Sequence, residues 1–171
     1  MAETNPIRDT YDALWDMLCA NTSFEALFPS GTLHQVRYTS ELYYYVPDPE
    51  MEELEEADYQ RCRIVFDKAT PATERSSSGS FLDVVLAIEV CTGSEDQTRL
   101  MAVCWAVYCA MLGWRDYVRD TVTYNAAACV FDVDARGFQA TDQNHERNRG
   151  TKQWIVVWST VVRLQFPTAD L

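Results

Sequence analysis

Residues Thr151 to Phe166 read T-K-Q-W-I-V-V-W-S-T-V-V-R-L-Q-F and stop at Pro167. Side chains alternate faces in an extended chain, so Trp154, Val156, Trp158, Thr160, Val162, Leu164 and Phe166 share one side. Gln153, Ile155, Val157, Ser159, Val161, Arg163 and Gln165 share the other. The stretch reads as one strand, apolar on one face and mixed on the other. At about 3.3 Å per residue it spans roughly 50 Å, whereas an ordinary strand has about five or six residues. Such length suggests a protein that builds sheets across subunits, with the final strand closing the sheet of its own chain.

Working back from this strand, two more extended segments carry the same alternation. Phe81 to Cys91 sets Leu82, Val84, Leu86, Ile88 and Val90 on one side. Tyr59 to Asp67 sets Cys62, Ile64 and Phe66 on one side, against Arg61, Arg63 and Val65. The polar stretch Pro71 to Ser80 joins them as the loop of a hairpin. Shorter strands are expected at Arg37 to Val46, Thr121 to Tyr124 and Ala126 to Asp132.

Helices are expected in two places. Asn5-Pro6 is a cap followed by proline at the first helical position, and Ile7, Tyr11, Leu14 and Leu18 follow at helical spacing to about Asn21. A short helical turn follows at Ser23 to Phe28. Ser94 to Gln97 opens a second long helix, with Leu100, Val103, Cys104, Val107 and Met111 as its apolar stripe down to Gly113. Its aromatics, Trp105, Tyr108 and Trp114, are read as packing in a central core helix. Helix, strands, helix, strands in that order imply an α+β fold: a mostly antiparallel sheet with helices on one face.

The chain of 171 residues suits one domain. An acidic excursion occupies Asp48 to Asp58, with seven acids and no base. A long polar loop is expected at Ala135 to Gly150. The net charge of −12 excludes bulk attraction to phosphate backbones and fits either solubility or a surface that repels nucleic acid. The six cysteines show no C-x-x-C spacing and are read as reduced thiols. No signal-peptide pattern opens the sequence, and no apolar run reaches the ~20 residues of a membrane helix.

Signs of chemistry are sparse. His34 and His145 lie in no nucleophile motif, and no glycine-rich phosphate loop is present. Asp132 and Asp134, two apart on a strand, would form one side of a hard-cation site that needs several more oxygens. No enzyme, metal or cofactor is expected. Basic residues gather instead at Arg136, Arg147, Arg149 and Lys152, balancing a solvated loop or forming an edge that meets an acidic run of a neighbour.

The N-terminal helix, the strands R-C-R-I-V-F and F-L-D-V-V-L-A-I-E-V, the helix E-D-Q-T-R-L-M-A-V-C-W-A-V-Y-C-A-M-L and above all R-N-R-G-T-K-Q-W-I-V-V-W-S-T-V-V-R-L-Q-F together resemble the tail-terminator, or tail-completion, proteins of tailed bacteriophages. The resemblance rests on order and spacing, without an invariant catalytic signature. It implies a structural virion protein made in the bacterial cytoplasm. The protein would form a ring, commonly a hexamer, that caps the head-proximal end of the tail tube, stops polymerisation and joins tail to neck. Its partners would be further copies of itself, the tail tube protein and a head-closure or connector protein, with genomic DNA passing through unbound. A heterologous ring closes when the same two surfaces meet repeatedly. The inner sheet of that ring is expected from the edges of Phe81 to Cys91 and Thr151 to Phe166. Subunit contacts are expected at Arg136, Arg147, Arg149, Lys152, Trp154 and Trp158. An acidic lumen or partner surface is expected at Glu52, Glu53, Glu55 and Glu56. A head-closure, connector or tail-tube protein is the alternative within the virion. A cytosolic adaptor that binds peptides by strand addition is the alternative outside it.

Overall fold

The computed structural model describes residues 5–27, 61–72, 79–93, 97–143 and 153–167. Among these residues four helices, α1 (Pro6–Cys19), α2 (Thr22–Glu25), α3 (Gln97–Ala110) and α4 (Trp114–Thr121), accompany six strands: β1 (Arg61–Pro71), β2 (Ser80–Gly93), β3 (Thr123–Tyr124), β4 (Ala127–Ala128), β5 (Val130–Gln143) and β6 (Gln153–Phe166). The fold is α+β. A four-stranded antiparallel sheet runs in the order β1-β2-β6-β5, beside a two-stranded β3-β4 hairpin.

The first helix forms as its sequence dictates. The Asn5 side chain accepts a hydrogen bond from the Arg8 amide at 3.2 Å, and Pro6 occupies the first helical position, where a missing N–H costs nothing. Tyr11, Leu14, Trp15 and Leu18 fall on its buried face. Thr10 is buried with them because its hydroxyl donates to the Pro6 carbonyl at 2.7 Å. Asn21 caps α2 in the same way, accepting from Phe24 N at 2.9 Å and turning the fully buried Phe24 ring into the core.

The sheet's inner face carries Cys62, Ile64, Val84, Leu86, Ile88, Val90, Val133, Val156, Trp158, Val162 and Leu164, all buried. Against it lie Leu14, Trp15, Leu18 and Phe24 of the first two helices, Val103, Val107 and Ala110 of α3, and Trp114 and Val118 of α4. Burying each large aliphatic chain contributes about 1.5–3 kcal/mol, so this layer contact supplies most of the fold's driving force.

A polar connection crosses the core. Thr160 is fully buried in β6; its hydroxyl accepts from Trp114 Nε1 at 3.1 Å and donates to the Asp134 carbonyl at 3.1 Å. The link ties α4, β6 and β5 together and leaves neither the indole N–H nor the hydroxyl unsatisfied.

Three expectations are corrected. The final strand is internal: β6 pairs with β2 from Gln153 to Phe166 and with β5 on its other side. Its length is therefore used within the chain, and neither β2 nor β6 has an edge to offer a neighbour. Among the described residues, the outermost strands are β1 and β5. Residues 135–143 are strand rather than loop, since their backbone groups join the ladder with β6 despite a polar composition. Phe66 shares the row of Leu86 yet is 47% exposed, because β1 lies at the sheet's margin and bulges between Phe66 and Lys68. The expected strand at 37–46, the acidic run at 48–58 and both histidines lie outside the described residues.

Candidate assembly surfaces

Helices cover one face of the sheet. The other face is set by the cross-strand register alone. Cross-strand register assembles that outer face into rows. Arg63, Glu89, Val157 and Gln139 form one row; Lys68, Val85, Val161 and Asp134 form another; Thr70, Asp83, Arg163 and Asp132 form a third. Val65, Ala87 and Ser159 lie between the first two. The middle is thus small and aliphatic, with Val65, Val85, Ala87, Val157 and Val161 half-buried.

Ion pairs bracket it. Arg63 reaches Glu89 with Nε and Nη2, each 2.7 Å from Oε2. Arg163 grips Asp83 with two bonds, Nε to Oδ1 at 2.7 Å and Nη2 to Oδ2 at 3.0 Å. Bidentate geometry of this kind is the strong form of the arginine–carboxylate pair.

The β5 edge is more heavily charged. Arg136 lies 3.6 Å from Asp134, and Arg119 of α4 lies 3.9 Å from Asp132. Arg115 Nη2 donates to the Val133 carbonyl at 2.8 Å. Arg115, Asp132, Val133, Asp134 and Arg136, with Asp83, Val161 and Arg163, line a shallow hollow of about 290 Å³. Register shifts between Val130 and Asp132 and between Ala135 and Phe138 bend the strand here. Gly137, at φ 78°, takes the left-handed conformation inside the second shift, where a β-carbon would be strained. Bulges, charges and a side-chain cap on a carbonyl blunt a strand edge against indiscriminate pairing.

Of the residues expected at subunit contacts, Arg136 is exposed on this edge. Trp154 lies in β6, its backbone opposite Thr92 on one side and Asp142 on the other. Trp158 is corrected: it is 4% exposed and packs in the chain's own core, because its side of β6 faces the helices. Arg147, Arg149 and Lys152, and the acidic set Glu52, Glu53, Glu55 and Glu56, lie outside the described residues. Asp132 and Asp134 do share the outer face, and each lies within ion-pair distance of an arginine, Arg119 and Arg136 respectively. Among the described residues, no group of three or more histidine, cysteine or acidic side chains is placed to hold a metal ion.

The reading of α3 as a core helix holds for half of it. Val103, Ala106, Val107, Ala110 and Met111 are buried, whereas Met101, Trp105, Tyr108 and Leu112 are exposed. Trp105 and Tyr108 stack on each other with ring centres 5.6 Å apart and an interplanar angle of 26°. Expecting all these aromatics in the core was wrong for two of them; only Trp114 is buried. A helix apolar all round leaves no polar face by which a sequence shows its outward side.

Among the described residues, the thiols Cys62, Cys104, Cys109 and Cys129 form no disulfide. Burial pushes Cys62 and Cys104 up from the ordinary thiol range, and burial, with the Asp9 charge adding to it, pushes Cys129 up to about 11. A thiol held protonated in this way is a poor nucleophile. Among the described residues, no helix is long and apolar enough to cross a membrane. No protein-family model matches the chain, and no curated protein is found similar to it.

Proposed function

We propose that this chain is a ring-forming virion subunit of the tail-terminator kind, which caps the head-proximal end of a phage tail tube and joins it to the neck. The observation that carries this reading is the described sheet, helix-covered on one face, lined by half-buried aliphatic side chains on the other, and ending in two non-equivalent strands, β1 and β5. Two different surfaces on one subunit are what a head-to-tail ring requires. The half-buried valines bracketed by ion pairs have the make-up of an association surface, apolar at the centre and polar at the rim. Bulged edges favour contact through side chains over a continuous backbone ladder, which suits an assembly that closes and then stops. The element order that resembles the tail terminators, and the charge of −12 that denies DNA phosphate contacts, support the same reading. The acidic side chains Glu52, Glu53, Glu55 and Glu56 would face the DNA channel or a basic neighbour.

Immunogold electron microscopy of tailed particles, with antibody against this chain, tests the proposal. Label at the single head–tail junction is expected. Label along the whole tail would make the chain a tube subunit, and particles without label would overturn the virion reading.

A further inference from the structure

We propose that the outer face of α3 is a self-association surface, and that its occupant is α3 of a second copy lying antiparallel. Met101, Trp105 and Tyr108 of α3, and Leu112 in the turn that continues it, are 62%, 66%, 46% and 58% exposed. They recur four, three and four residues apart, the spacing of a seam between two helices. Soluble monomers rarely leave a contiguous apolar patch beyond a few hundred Å² uncovered.

The identity of the occupant follows from the order of the four side chains. The stripe reads aliphatic, aromatic, aromatic, aliphatic about a midpoint between Ala106 and Val107. A two-fold axis through that midpoint sets Trp105 against Tyr108 of the second copy and Met101 against its Leu112. Each residue then meets a partner of its own class, which is the self-complementarity an isologous interface demands. The Trp105–Tyr108 stack presents the two rings as one preformed ledge, so little side-chain freedom is lost on pairing.

Charge points the same way. No acidic or basic residue occurs from Leu100 to Trp114, although the chain carries a net −12. Copies that repel one another elsewhere can meet here without like charges in apposition. The same silence offers nothing to steer a basic or acidic partner. A standard interface buries about 800 Å² per partner around a few aromatic anchors. This stripe supplies the anchors, and the rim would come from neighbouring helix residues. The inference uses neither sheet edge and stands apart from the ring reading.

Analytical ultracentrifugation of the full chain over a dilution series tests it, with Trp105→Glu and Arg136→Glu compared alongside. Both positions are exposed, and circular dichroism checks that each variant is folded. The expected result is a wild-type dimer, or an even-numbered assembly, whose dissociation constant rises roughly 30-fold or more in Trp105→Glu and is unchanged in Arg136→Glu. In a Met101→Cys/Leu112→Cys variant, a thiol cross-linker should join position 101 of one copy to position 112 of the other, as peptide mass spectrometry would show. A monomeric wild type, an assembly indifferent to Trp105→Glu, or cross-links joining 101 to 101 would overturn the proposal. A ring that survives Trp105→Glu intact would defeat this inference alone and leave the head-to-tail reading standing.

Discussion

β5 and β6 are each 14 residues long, yet they are built differently. β6 is flanked on both sides, and its register with β2 runs unbroken from Ser80 opposite Phe166 to Gly93 opposite Gln153. Among the described residues β5 has one neighbour in the sheet, and its register shifts twice. A one-residue slip in β6 would turn Val156, Val162 and Leu164 out to solvent, so burial pins its register. β5 buries Val133 but exposes Phe131, Asp132, Asp134 and Arg136, and extra residues there cost the core little. The interior strand stores stability, and the margin is free to carry charge, curvature and contacts.

The sharpest way to break this comparison is to truncate one side chain on each strand. Leu164 is fully buried, and Leu164→Ala should cost about 2–5 kcal/mol in chemical denaturation. Phe138, 39% exposed on β5, should cost no more than about 1 kcal/mol as alanine. Equal losses would show that the margin is as tightly packed as the centre.

A middle-sized effect probes a buried side-chain hydrogen bond between the two strands. Thr160→Val keeps the shape but removes the acceptor for Trp114 Nε1 and the donor to the Asp134 carbonyl. Leaving the buried indole N–H unpaired should cost about 1–3 kcal/mol. Thr160→Ser should recover much of that loss. If serine fares no better than valine, the methyl packing matters and the hydrogen bonds do not.

The same contrast decides what was legible in the sequence. Strand β2 could be read because Val84, Leu86, Ile88 and Val90 alternate with partly exposed residues, and α1 because Asn5-Pro6 announces its start. The second half of β5 could not, since A-R-G-F-Q-A-T-D-Q lacks alternation and owes its extension to hydrogen bonds from β6. The interior place of β6 was equally hidden: length is visible in one strand, but the matching length of its neighbours is a tertiary fact. Of the candidate surfaces, Arg136 was found from charge clustering. The outward face of α3 was missed because its two sides are equally apolar, and only packing distinguishes Val103 from Trp105.

Titration reaches the comparison at Cys129, where the chain enters β5. Its thiol is buried, donates to the Val122 carbonyl at 3.7 Å and ionises only near pH 11 when folded, against 9.0 for an unperturbed thiol. The unfolded chain therefore loses this proton first as pH rises. The stabilisation is fully present below about pH 9 and declines between there and about pH 11. Cys129→Ala should flatten that part of the stability–pH curve without abolishing it, because Cys62 is shifted in the same direction. A wild-type curve level through this range would contradict the assigned burial.

The smallest expected effect has the opposite sign and lies just before β5. The β3–β4 turn places Asn125 at φ 50° and Ala126 at φ 63°. Positive φ at both central residues marks the hairpin turn whose twist matches its strands, where asparagine followed by glycine is preferred. Asparagine tolerates this conformation; alanine does so at a cost, because its β-carbon crowds the following carbonyl. Ala126 is exposed, so its methyl has little packing to lose. Ala126→Gly should raise stability by about 0.5–1 kcal/mol, less than the full strain because glycine also gives the unfolded chain more freedom. Asn125→Ala should lower it. Thermal melts of the two variants would show opposite shifts if the turn is formed as described. Loss of stability in both would mean that the hairpin, like the β5 margin it feeds, is held by its surroundings and not by its own backbone geometry.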